Sequence, residues 1–253
     1  MATLKQFSIK IIAIASVSFL LTVYYYIPFK FEYIGYRHKV WAHRVNSVER
    51  LKYTQENYYG VELDLVFDAA TNTFDVNHPP ATSIGLTLES YFSHLNPSKS
   101  IGIWLDLQNL TQENKDMALK RLNFLTEKYP LQKEHIIVES ESPKFLTDFQ
   151  KSGFKTSYYL PWDLYKLPEE KQLEKIKEIK ENICQYPTSA ISTNLNDYPI
   201  IAEHFPNNKK YLWSLKKTYA FKLFGNFILT RKALNDSNVD VLLVKVNRQK
   251  GKR

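Results

Sequence analysis

The chain has 253 residues, 24% of them charged and 44% hydrophobic, with 17 Tyr, 15 Phe and 4 Trp, which is the composition of a folded domain with ample core material. Its formal net charge of +8 sits mostly at the ends, on Lys5 and Lys10 and on Arg248, Lys250, Lys252 and Arg253, so the body is nearly neutral and no nucleic-acid partner is expected. The single cysteine, Cys184, excludes an intrachain disulfide, a CxxC pair and a Cys-rich metal site, and the seven glycines stand too far apart for a dinucleotide fingerprint, a P-loop or a GxSxG elbow.

In chain order, residues 1–10 carry Lys5 and Lys10, and Ile11–Phe29 follows without a formal charge. As a helix, that run would cover roughly 28 Å at about 1.5 Å per residue, the thickness of the hydrocarbon layer. Positive residues before it and Tyr24-Tyr25-Tyr26 near its end give the layout of an uncleaved signal anchor, a single transmembrane helix with the positive end in the cytoplasm. A buried helix of a soluble domain is the alternative, but the run has a poor polar face. On the anchor reading everything from about residue 36 lies on the extracytoplasmic side of a membrane.

Strand-like and helix-like stretches then alternate. Strands are predicted at Lys39–His43, Gly60–Val66, Ile101–Asp106, His135–Ser140, Phe154–Tyr159, Ser189–Thr193, Lys209–Leu215 and Val239–Val246. Helices are predicted at Ser47–Tyr58 with Ser47 as N-cap, Leu86–Leu95, Thr111–Tyr129, Pro143–Ser152, Pro168–Tyr186, Asp197–Phe205 and Leu229–Asp236, with Phe221–Leu229 as an alternative strand. Eight strands separated by helices within residues 36–246 fit a (β/α)8 TIM barrel, an α/β fold, followed by a basic tail at 247–253.

In such a barrel chemistry gathers at the carboxyl ends of the strands. The first strand ends in His43-Arg44, the second carries Glu62 and Asp64 at i and i+2 on one face, and the third ends in Asp106. Val61, Leu63 and Leu65 would take the helix-covered outer side, leaving the two carboxylates to face inward, where like charges need a counter-ion. A divalent cation such as Mg2+ or Ca2+, with Asp106 as third ligand, supplies it, and the alternatives are an outward-facing polar strand or pairing with Arg44. His78 follows in Asn77-His78-Pro79-Pro80, where a short strand folding back would deliver it to the same rim beside His43. Two imidazoles at a metal suit phosphoryl transfer. His38, His94, His135 and His204 lack this context and read as structural.

These residues resemble the glycerophosphodiester phosphodiesterase superfamily, which includes the phospholipase D-type barrels: His43-Arg44, Glu62-x-Asp64, His78 and Asp106 come in that order, and Trp213 in Tyr211-Leu212-Trp213-Ser214 is similar to a late-strand tryptophan over the substrate. Ala42-His43-Arg44-Val45-Asn46-Ser47 and Asn77-His78-Pro79-Pro80 resemble more narrowly the menorin-like branch. The resemblance implies a phosphoric diester hydrolase acting on glycerophosphodiesters or phospholipid head groups. Its implied site has Glu62, Asp64 and Asp106 on Mg2+ or Ca2+, His43 and His78 as acid/base or nucleophile, and Arg44, Asn46, Gln108 and Trp213 around the substrate. The chain departs from the pattern at Val45, where a glycine is usual, and at Gln108, where a lysine is usual; the second departure makes a catalytically inactive metal- or ligand-binding barrel the alternative.

Overall fold

The computed structural model describes residues 2–26, 30–161, 163–214 and 223–246. The uncharged amino-terminal run lies in helix α1 (Ala2–Tyr26), and Ile11, Ile12, Ile14, Val17, Phe19 and Leu20 on it are all more than half exposed. Among the described residues no helix is long and apolar enough to cross a membrane, so the expected transmembrane anchor is not supported. The end of the helix is polar: Thr22 donates to the Ser18 carbonyl, and Tyr24 bonds Glu32 of the segment leading into the barrel at 2.9 Å. Residues 27–29 of the expected span and the basic tail at 247–253 lie outside the described residues.

The barrel then unfolds in order as β1 (Val40–His43), α2 (Val48–Asn57), β2 (Gly60–Asp68), β3 (Thr73–Val76), α3 (Leu88–Phe92), β4 (Gly102–Leu107), α4 (Lys115–Lys128), β5 (Ile136–Ser140), α5 (Thr147–Lys151), β6 (Lys155–Tyr159), α6 (Glu169–Gln185), β7 (Ala190–Asn194), α7 (Tyr198–His204), β8 (Lys210–Ser214), α8 (Leu223–Asn235) and β9 (Val239–Lys245). Strand β1 pairs in parallel with β9 on one side and with β2 on the other, which closes eight parallel strands into a ring. The ninth strand, β3, returns antiparallel along β2, with Leu65 opposite Val76. All eight predicted barrel strands are present, with Leu215 of the seventh outside the described residues.

Some predicted helices move, each for a local reason. Ser47 caps α2 by accepting from the Arg50 amide at 3.3 Å, as expected, but α4 begins only at Lys115 because Asn114 Oδ1 takes the Thr111 N–H at 2.8 Å and holds a turn. The stretch from Pro143 divides into a 3-10 turn, Pro143–Phe145, and α5. The alternative strand at Phe221–Leu229 is corrected: from Leu223 onward the chain is helical, and residues 221 and 222 lie outside the described residues.

Alternation along each strand sorts the core into two compartments. Outward Val40, Ala42, Val61, Leu63, Leu65, Ile103 and Leu105 pack under Leu51, Leu88, Leu122 and Leu125 of the helices. Inward Trp104, Ile137, Tyr211, Trp213, Val241 and Leu243 fill the lumen. At about 1.5–3 kcal/mol for each fully buried large apolar side chain, this two-sided burial fixes the register on which the site depends.

Candidate functional site

The carboxyl ends of β1, β2, β4, β5, β6 and β8 surround a cavity of about 400 Å3. Its lining includes His43, Arg44, Glu62, Asp64, His78, Asp106, Gln108, Glu139, Glu141, Tyr159 and Trp213. The strand pairing brings the acids together: Asp64 stands opposite Asp106 between β2 and β4, and Asp106 opposite Glu139 between β4 and β5. The expected third strand of the site is therefore an immediate neighbour of the second.

Glu62 and Asp64 are each 2% exposed and face inward, and with Asp106 they present carboxylate oxygens within 4.8 Å of one another. Burial, and then the Asp64 and Asp106 charges, hold the Glu62 carboxyl well above its usual range. Burial and the Asp64 charge push Asp106 up to about 7. Arg44 relieves the cluster only in part: its guanidinium Nε is 4.0 Å from Asp64 Oδ2, and its side chain is half exposed. Two buried carboxylates and a part-buried third, close enough to repel one another, are a set of hard oxygen donors that fits a divalent cation such as Mg2+ or Ca2+.

The turn after β1 grips these acids from one side. Arg44 adopts a left-handed backbone at φ 55° and donates its amide to Glu62 Oε2 at 2.6 Å. Val45 donates its amide to the Glu62 carbonyl at 2.8 Å. Asn46 donates Nδ2 to Asp64 Oδ2 at 2.6 Å and accepts the Asp64 amide on Oδ1 at 3.1 Å. Asn46, expected at the substrate, instead orients Asp64 and is not among the cavity-lining residues.

The two histidines flank the acids. His43 has Nε2 3.5 Å from Glu62 Oε2, and its side chain is only 10% exposed. Burial, then the nearby Arg44 charge, lowers its pKa to about 3, which keeps the ring neutral, and its Nδ1 has no hydrogen-bond partner among the described residues. His78 follows two residues after β3, the strand that folds back, held where the Asn77 amide donates to the Asp64 carbonyl at 3.1 Å. Its Nε2 is 2.8 Å from the Arg44 guanidinium and 3.9 Å from Asp64 Oδ1. A guanidinium only donates, so in this contact Nε2 is the acceptor.

On the far wall Trp213 stacks on Tyr159 with ring centroids 4.9 Å apart and planes at 14°. Gln108 lies in the cavity with Nε2 3.5 Å from Asp64 Oδ1. Lys245 ends β9 beside His43 in register. Sequence reasoning missed Glu139, Glu141 and Tyr159. Glu139 is 2% exposed, accepts from Ser192 Oγ and is held well above the usual carboxylate range by burial and then by the Asp106 charge. The signal was there, because Glu139 is an acid near the carboxyl end of an apolar strand, as Asp106 is.

No family model and no curated protein matches the chain. Among solved structures, a glycerophosphodiester phosphodiesterase from Parabacteroides distasonis is 16% identical and covers 81% of this chain and 92% of its own, with a TM-score of 0.56. A phosphodiesterase from Oleispira antarctica, solved with the product sn-glycerol-3-phosphate, is 12% identical over 83% of this chain and 94% of its own, at a TM-score of 0.53. An orotidine 5'-monophosphate decarboxylase from Sulfolobus solfataricus is 11% identical over 85% and 91%, at 0.52. Several similar structures are glycerophosphodiester phosphodiesterases, and the chain shares their barrel fold. The likeness is one of fold, and the decarboxylase shows that the fold alone does not choose the chemistry.

Proposed function

We propose that this barrel is a metal-dependent phosphodiesterase acting on glycerophosphodiesters or phospholipid head groups. The observation that carries the reading is the convergence of Glu62, Asp64 and Asp106 with His43, His78 and Arg44 on one rim cavity. A divalent cation on the three carboxylates would polarise a phosphoryl oxygen. Arg44, half exposed beside His78, binds the remaining phosphate charge. His43, neutral and deep, accepts a proton or attacks; His78, at the mouth with 35% of its side chain exposed, hands a proton to the departing alcohol oxygen. The Tyr159–Trp213 wall packs against the organic part of the substrate.

Attachment to a membrane, with the barrel on the extracytoplasmic side, belongs to the same proposal. It is supported by the lysines before Ile11 and by the exposed apolar side chains of α1. A second reading, a menorin-like barrel that holds metal or ligand without turnover, is favoured by one observation, the neutral Gln108 at the place where the resemblance leads one to expect a cation.

The test is head-group release from a panel of glycerophosphodiesters and lysophospholipids by the full chain in mild detergent, with Mg2+, Ca2+ or EDTA. Turnover that needs a divalent ion and falls by about 10²-fold or more in both His43→Ala and His78→Ala supports the enzyme. Ion binding without turnover on any substrate supports the second reading, and turnover that survives EDTA overturns the metal-dependent one.

A further inference from the structure

Asn46 spends both ends of its amide on one residue, Nδ2 on the Asp64 carboxylate at 2.6 Å and Oδ1 on the Asp64 backbone amide at 3.1 Å. That closed ring fixes the carboxylate's direction and fills one acceptor site on Oδ2, while Oδ1, with Gln108 Nε2 3.5 Å away, is the less engaged oxygen. Glu62 is treated the same way by the same turn: its Oε2 accepts the Arg44 amide at 2.6 Å, and Oε1 is left. Two of the three acids therefore have one oxygen less engaged than the other, and placing both oxygens of either on one ion would compete with a short charge-assisted hydrogen bond. Ca2+ takes six to eight oxygens and readily uses both oxygens of a carboxylate, whereas Mg2+ takes six at strict octahedral positions and keeps several waters.

Resting on the reading that Glu62, Asp64 and Asp106 hold a divalent cation, we infer that Asn46 is a positioning residue that makes Asp64 a one-oxygen ligand and so biases the site toward Mg2+ over Ca2+. A residue that only braced the turn would affect both ions alike. A residue that sets the number of oxygens on offer changes their ratio.

The experiment is calorimetric titration of the full chain with Mg2+ and separately with Ca2+, for the natural sequence, Asn46→Ala and Asn46→Ser, beside melting curves in EDTA. Asn46→Ser stays neutral and polar but is too short to bond the Asp64 amide and carboxylate together, so it removes the orienting ring without adding a charge to the acids. We expect the natural chain to bind Mg2+ more tightly than Ca2+. Asn46→Ala should weaken Mg2+ by about 10- to 100-fold, the usual effect of removing a group that orients a ligand. Ca2+ should weaken less in both variants, so that the preference shrinks or reverses while melting in EDTA stays within a few degrees. A natural chain that prefers Ca2+, or variants that lose both ions in equal proportion, overturns the inference. A natural chain that binds neither ion overturns the underlying metal reading instead.

Discussion

The amide of Arg44 donates to Oε2 of Glu62 across 2.6 Å because Arg44 holds the left-handed backbone conformation, φ 55°, that turns its N–H back toward β2. Few residues other than glycine take this conformation, at a cost of order 1–3 kcal/mol, and here the strain sits on the residue whose side chain also reaches His78. Backbone and side chain thus have separable jobs. Arg44→Gly keeps the amide and suits the conformation, so Mg2+ affinity should stay within a few-fold of the natural chain while kcat/KM drops about 10²-fold with the guanidinium gone. Arg44→Pro removes the amide and forbids the conformation, so Mg2+ binding should be lost as well. Equal metal affinity in the two variants, read by calorimetry, would show that the amide does not hold Glu62 for the ion.

The acidic cluster should cost stability in the absence of a cation, with a definite pH dependence. Asp106 titrates at about 7 when folded, against 3.8 as its ordinary value, so between those pH values the folded chain binds the extra proton. Stability is therefore full below about pH 4 and falls as pH rises toward 7. Asp106→Asn removes this loss. In EDTA the variant should melt higher than the natural chain above pH 7, by roughly 2–4 °C for each kcal/mol relieved, and the gap should close near pH 4. Mg2+ should reverse the order, since a ligand at 100 times its Kd contributes about 2.7 kcal/mol to the natural chain and little to the variant. A variant that melts no higher in EDTA at pH 8 would mean that the acids are already neutralised by the protein.

Much of this site was legible in the sequence because barrel chemistry follows strand ends. Glu62-x-Asp64 between Val61, Leu63 and Leu65 fixes which side faces in, and His43 and Asp106 follow from where their strands stop. Asn46 was placed at the substrate because its bond to Asp64 crosses between elements, and strand periodicity carries no information about such a contact. Spacing alone does not fix burial either: Leu173 shares a three-residue spacing with Ile176 and Ile179, yet those two are buried and Leu173 stays 50% exposed toward the amino end of α6. The helix reading of the uncharged amino-terminal run was legible, while its placement in a bilayer depends on what surrounds it.

Gln108 sets up a gain-of-function test. Its amide lies 3.5 Å from Asp64 Oδ1, and its hydrogen bond to Asp106 works against the rise in that carboxyl's pKa. A lysine there would add a positive charge to the same cavity wall, where negative charge develops on the phosphate in the transition state. If the barrel turns over, Gln108→Lys should raise kcat by about tenfold or more on the best substrate of the panel, with a smaller change in KM. Should kcat fall instead, the amide itself is the group the site uses, and the chain's departure from the lysine pattern reflects a different substrate rather than lost activity.

The far end of the barrel explains two of the scarce glycines. The Trp41 indole from β1 lies across Gly60 and Gly102 on β2 and β4, and a Cβ built on either would sit 2.0 or 2.2 Å from its ring carbons. Neither glycine has a positive φ, so the requirement is space rather than backbone freedom. Gly102→Ala must push the ring into the packed lumen beside Trp104 and Tyr211, and should cost about 3 kcal/mol or more in denaturant melts, with failure to fold as the extreme. Trp41→Leu alone should also destabilise, by emptying that space. In the double variant the new methyl occupies room the indole has vacated, so the combined loss should fall short of the sum of the two by at least about 1 kcal/mol. Additive losses would mean that the ring does not rest on Gly102 in solution.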